Sequence, residues 1–274
     1  MARRNFYEII NESPLNLPAE YERLRTLYYE GTDLYCPVED LVEEAFEYLP
    51  EYLIGRTISL EDFNKTYGFN FPKTIIADPE LHFSTTEYLF SFCEYVWNFC
   101  EALIKHPRLR FDSGDWESIK HLKDKILGCM SDLGHVLIER EKLYIFVPAD
   151  PATVSVAEIA SPELAVSILE YHHHALKGNL AKKKAILKLL ADDIEPLRRD
   201  LSSINALFTS IFFQMLQKFV RHNNTANAYI SSLSDRETEA YYDDIYQMWL
   251  LAKLELDNVE RKKRATRCLE QINS

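Results

Sequence analysis

The chain has 274 residues, 47% of them hydrophobic and 27% charged, and carries a net charge of −12. That apolar share is ample for a packed core and argues against a disordered chain, while no stretch reaches the 18 uninterrupted apolar residues that suggest a membrane span. The start of the chain, Arg3 and Arg4 followed by mixed "NFYEIINESP", lacks the apolar run and cleavage site of a secretory leader, so the expected setting is cytoplasmic, with no membrane.

The charge is uneven. Residues 1–160 hold 28 acidic against 15 basic side chains, whereas residues 161–274 hold 15 against 16. An acidic surface disfavours non-specific nucleic-acid binding, but the near-neutral half, with its local basic clusters, remains able to accept phosphate groups. Five cysteines, an odd number without a CxxC pair, argue against a disulfide framework and against a thiolate zinc site. They read as buried thiols, and no metal or cofactor is expected.

In chain order, helical pieces are expected at about 18–30, 37–49, 84–105 and 115–133, separated by loops containing Pro and Gly. In "STTEYLFSFCEYVWNFCEALIK", Ser84 and Glu87 fit a capping box. Tyr88, Phe92, Tyr95 and Phe99 then form one row, and Leu89, Cys93, Val96, Cys100 and Leu103 the next. A stripe this wide predicts a helix buried on most sides rather than an aromatic platform for bases. Two β-rich runs flank the charged "REK" in "HVLIEREKLYIFVP", which predicts a hairpin over about 135–147. The following "ADPATVSVAEIASPEL" reads as a joint.

Beyond it all signals are helical. The last 96 residues contain no glycine and one proline, Pro196. Ser161 and Pro162 start a first helix that Gly178 stops, and a second starts near Asn179 and is broken or kinked at Pro196. A third carries Ile204, Phe208, Ile211, Met215 and Phe219 as an apolar row. A fourth opens at Ser234 with Glu237, another capping box, and its exposed side pairs Asp257 with Arg261 and Glu260 with Arg264. The fold class is therefore mainly α: an antiparallel helical bundle over 161–274, and an acidic, mostly helical region with one small β-hairpin over 1–160.

Chemistry concentrates at "FVRHNN". His222 continues the row of Ile204, Ile211 and Met215, so it points inward or into a cleft, while Asn223 and Asn224 suit a helix end. A site built here has Arg221 as a phosphate fork and His222 as a general acid or base, with Asn223 beside them. Lys218 and Asn224 are the ligand-binding neighbours. The triple histidine of "EYHHHALKG" cannot chelate one metal from consecutive helical positions, but His172 follows the row of Ala165, Ile168 and Leu169 and is the one placed to share such a cleft. The runs "KKK" (Lys182 to Lys184) and "RKKR" (Arg261 to Arg264) read as solvated faces or as a phosphate-binding rim. No GxGxxG, GxxxxGK[ST] or GxSxG is present.

From Ser161 onward, the helical hairpin, "FVRHNN" late in a central helix and the long terminal helix "YYDDIYQMWLLAKLELDNVERKK" resemble the HEPN superfamily of helical-bundle proteins. The resemblance covers about 40% of the chain. It implies a metal-independent endoribonuclease, commonly completed across a homodimer, in a prokaryotic toxin, abortive-infection or phage-defence setting. Arg221 matches the motif arginine and His222 the polar residue after it. No histidine follows His222, so the catalytic pair is incomplete, and His222 itself or His172 has to fill the role. The alternative expectation is a non-catalytic binding or assembly module that recognises a protein partner or a phosphate-bearing ligand, with the acidic region docking a partner.

Overall fold

The computed structural model describes residues 15–71, 86–106, 109, 111–221 and 227–273. The chain is mainly helical, with a single two-stranded sheet among the described residues, and divides into two compact units, Met1–Phe146 and Val147–Ser274.

In the first unit, helix α1 (Leu17–Tyr29) starts at Asn16, whose side chain accepts the Ala19 N–H, and buries Tyr21, Leu24, Leu27 and Tyr28. The chain turns after it at Gly31, where φ is +68° and a Cβ would lie 2.3 Å from the Tyr35 carbonyl oxygen, so no larger residue fits. Helix α2 (Val38–Ala45) follows, then the short α3 (Glu51–Ile54) and α4 (Leu60–Tyr67), neither expected from the sequence. Helix α5 (Thr86–Lys105) is buried on most sides as predicted. Both rows enter the core, where Phe92 meets Tyr21 and Tyr28 edge-on and Phe99 meets Phe63 edge-on, so no aromatic platform faces solvent. Ser84, half of the expected capping box, lies outside the described residues.

Helix α6 (Ser113–Asp132) opens on a reciprocal capping box between Asp112 and Asp115. The hairpin forms where expected, as β1 (His135–Arg140) and β2 (Leu143–Pro148), with both turn residues, Glu141 and Lys142, at positive φ. Its second strand is tied to α5, because Asn98 both donates to the Tyr144 carbonyl and accepts the Tyr144 N–H, each at 2.8 Å, and Glu94 accepts the Phe146 N–H.

In the second unit, the stretch after the hairpin is a helix, α7 (Pro151–Ala157), and Val156 and Ala157 enter this unit's core, so the unit takes in residues 147–160 as well as the expected bundle. Helix α8 (Pro162–Glu170) is capped by Ser161 but stops well before Gly178. Tyr171 and His172 lie in a turn, so the three histidines do not fan over a helix as expected. Helix α9 (Leu180–Ile194) starts at Asn179, which accepts the Lys182 N–H, and gives way to a 3₁₀ turn at Glu195–Leu197, where Pro196 cannot continue it.

The expected third helix is two. Helix α10 (Arg198–Ile204) ends at Asn205, whose backbone (φ −148°, ψ 89°) leaves the helical region and whose side chain accepts the Phe208 N–H to start α11 (Ala206–Met215). A π-helical turn, Leu216–Arg221, adds a further phase shift. The predicted row therefore faces the core only in part. Ile204 and Ile211 are exposed, Phe208 and Met215 are half-buried against the core and Phe219 is buried, while the rest of the buried face is Thr209, Phe212, Phe213, Leu216 and Val220. After the short α12 (Ala228–Ser232), the capping box at Ser234 and Glu237 opens α13 (Asp235–Asn273), 39 residues long. Helix α13 buries Tyr242, Ile245, Tyr246, Trp249, Leu250 and Ala252, and from Glu260 onward every described position is exposed. Among the described residues no helix is long and apolar enough to cross a membrane.

Candidate functional site

Arg221 closes the π-helical turn and reaches the C-terminal end of α9. Its Nη2 donates to the Ala191 carbonyl at 3.1 Å and lies 3.5 Å from Asp192 Oδ1, and its Nη1 lies 2.7 Å from Glu195 Oε2. The Ala191 carbonyl already accepts the Glu195 N–H, so the guanidinium adds a second, charged donor to it and offsets the negative end of the helix dipole. About a quarter of the Arg221 side chain remains exposed, at 26%. Lys218, one turn earlier, is exposed. His222, Asn223 and Asn224 lie outside the described residues.

His172 is not beside Arg221 in the observed contacts. Its ring meets Tyr171 and Tyr246 edge-on, each at 5.0 Å between centroids, and those two phenol rings stack at 4.0 Å and 3°. Burial lowers the His172 pKa; Asp243 and Asp150 pull it up and Lys183 pushes it further down. Tyr246 fixes this corner by donating to the Ile168 carbonyl at 2.8 Å.

One buried charge in this unit is a residue that sequence reasoning placed on a solvated face or a phosphate-binding rim. Lys183, the middle residue of the lysine run, is buried. Its ammonium sits 2.8 Å from Asp243 and 2.9 Å from Glu239, both on α13, and 5.0 Å from the centroid of the Tyr171 ring. Burial on its own raises the Glu239 pKa, but the Lys183 ammonium and the Gly178 N–H hold it below the ordinary carboxylate value. Glu239 and Asp243 are four residues apart on a helix, so both reach the same side. That spacing is the signal available in the sequence.

Two further contacts seat α13: Trp249 Nε1 donates to the Leu190 carbonyl at 2.9 Å, and Lys253 pairs with Asp193 at 3.1 Å. On the outer surface, Asp257 pairs with Arg261 as expected, whereas Glu260 takes Lys263 instead of Arg264. A cleft between α10 and α13 has an apolar floor of Leu197, Ile204, Leu256 and Val259, and Asp200, Glu260 and Lys263 at its edge. The basic run at Arg261 to Arg264 is exposed. Cys93, Cys100 and Cys129 are buried as expected, and burial pushes the Cys100 and Cys129 thiols up to about 12, but Cys36 is half-buried and Cys268 is exposed.

No family model matches the chain, and no curated protein or solved structure matches it.

Proposed function

We propose that the second unit is a helical binding and assembly module, with Arg221 serving as a clamp on the end of α9 rather than as the phosphate fork of a nuclease. The observation that carries this reading is the occupancy of the guanidinium: Glu195, Asp192 and the Ala191 carbonyl already engage it. A phosphodiester approaching Arg221 meets two carboxylates of its own sign, which weakens the electrostatic stabilisation that RNA cleavage requires. The five free thiols support a reducing cytoplasmic setting.

The test is to incubate the full chain and an Arg221→Ala variant with total RNA and tRNA in EDTA, and to melt both proteins. Neither is expected to cut RNA, and Arg221→Ala is expected to lose about 1–2 kcal/mol of stability through the lost charged hydrogen bond and dipole contact. Cleavage by the wild type that a folded Arg221→Ala protein lacks would overturn the module reading in favour of the metal-independent endoribonuclease that the HEPN resemblance implies.

A further inference from the structure

Past its buried part, helix α13 carries a second amphipathic pattern with no core of its own to serve. Residues 260–273 are all exposed. Among them Ala265, Cys268, Leu269 and Ile272 stand at i, i+3, i+4 and i+7, the spacing that lines one face of a helix. Leu269 is 59% exposed and Ile272 72%, so two large aliphatic side chains stand in water on one stripe. Around the stripe the surface is basic. Residues 261–273 hold five cations, Arg261, Lys262, Lys263, Arg264 and Arg267, against one acid, Glu270, in a chain whose net charge is −12. Asp257 holds Arg261 and Glu260 holds Lys263, whereas among the described residues Lys262, Arg264 and Arg267 form no ion pair. At about 100° per residue, Lys262 and Arg264 lie on opposite flanks of the stripe, about 70° and about 90° from its centre.

We propose that this end of α13 lies flat on an anionic lipid surface, with Ala265, Cys268, Leu269 and Ile272 against the acyl boundary and Lys262 and Arg264 at the level of the headgroup phosphates. An apolar stripe with cations on its flanks is the pattern of an interfacial helix, in which burial of the aliphatic side chains and attraction of the cations add. The contact is peripheral, since among the described residues no helix is long and apolar enough to cross a membrane. The acidic remainder of the chain does not cancel the attraction. The exposed stretch extends about 21 Å beyond the buried part, more than twice the screening length of about 8 Å at physiological salt, so most of that repulsion is screened. Seating on a surface also stabilises a stretch that, as an isolated helix of this length, is marginal in water. A nucleic acid is the other polyanion these cations fit, but a phosphate backbone leaves Leu269 and Ile272 in water, and those two side chains single out the lipid surface. The inference goes beyond the module reading and does not rest on it, because neither Arg221 nor α9 takes part.

Co-sedimentation of the full chain with sucrose-loaded vesicles tests the proposal, using phosphatidylcholine alone and phosphatidylcholine with about a third phosphatidylserine. The wild type is expected to pellet with the anionic vesicles and to stay in solution with the neutral ones. Raising the salt from about 0.1 M to about 0.5 M is expected to release most of it. Two double variants separate the two contributions. Leu269→Ser with Ile272→Ser keeps every charge and is expected to weaken the partition at least about tenfold. Lys262→Glu with Arg264→Glu keeps the stripe and is expected to weaken it at least as much, by about tenfold or more. All four positions are exposed, so the substitutions remove no packing, which an unchanged melting curve checks. No binding to the anionic vesicles, equal binding to the neutral ones, or binding indifferent to Leu269→Ser with Ile272→Ser overturns the proposal. A labelled single-stranded RNA that binds the wild type, displaces it from the vesicles and still binds the Leu269→Ser, Ile272→Ser protein also overturns it and assigns the face to nucleic acid.

Discussion

At the scale of single residues, His172 links the second unit to pH. Its folded-state pKa lies below the ordinary histidine value of about 6.5, so the unfolded chain takes up its proton first as pH falls. Stability is therefore intact above about 6.5 and declines as pH drops through the folded value. Melting from pH 7 downward is expected to show this slope, and His172→Phe, which keeps an aromatic ring against Tyr171 and Tyr246, is expected to flatten it. An unchanged profile would place the titration elsewhere. Lys183 shows what a sequence withholds at this scale. Three consecutive lysines look alike, and only contact with Asp243, 60 positions away, decides which of them leaves water. Arg221 was visible as a residue of interest, but its partners Asp192 and Glu195 belong to another helix, so its role was not.

At the scale of elements, Asn205 decides the geometry of the third helical segment. Asn205→Ala removes the bond to the Phe208 N–H and is expected to cost about 1 kcal/mol, read as a lower urea midpoint at unchanged slope. No change in midpoint would mean that α11 is set by packing alone. Helices announced by a capping residue, at Ser161, Asn179 and Ser234, were legible because their start depends on local hydrogen bonds. The row through Ile204 and Ile211 misled for the opposite reason: it assumed one uninterrupted helix, and the break at Asn205 and the π-helical turn shift the phase. Short helices such as α3 and α4 offered too few residues for a period to show.

At the scale of the whole molecule, each unit has its own buried core, one built on α5 and its aromatic rows, the other on α9 and α13. Residues 147–274 expressed alone are therefore expected to be helical by circular dichroism and to melt cooperatively. A non-cooperative, molten fragment would show that its core needs the rest of the chain. The mainly helical class and the hairpin were legible because both follow from periodicity and turn chemistry. The start of the second unit was less so, since α7 is recruited by contacts that its sequence does not reveal. The unbroken run of α13 also has a mechanical meaning. Its 39 residues span about 58 Å, and the fully exposed stretch from Glu260 to Asn273 extends about 21 Å beyond the buried part. The helix is held along its first part by the Lys183 pairs with Glu239 and Asp243, the Tyr246 stack, the Trp249 hydrogen bond and the Lys253–Asp193 pair, which leaves the exposed remainder as a lever arm. A tilt of about 10° at the grip swings the far end by about 4 Å over that projection, turning a small repacking around Tyr171 into a displacement larger than the rise of two residues.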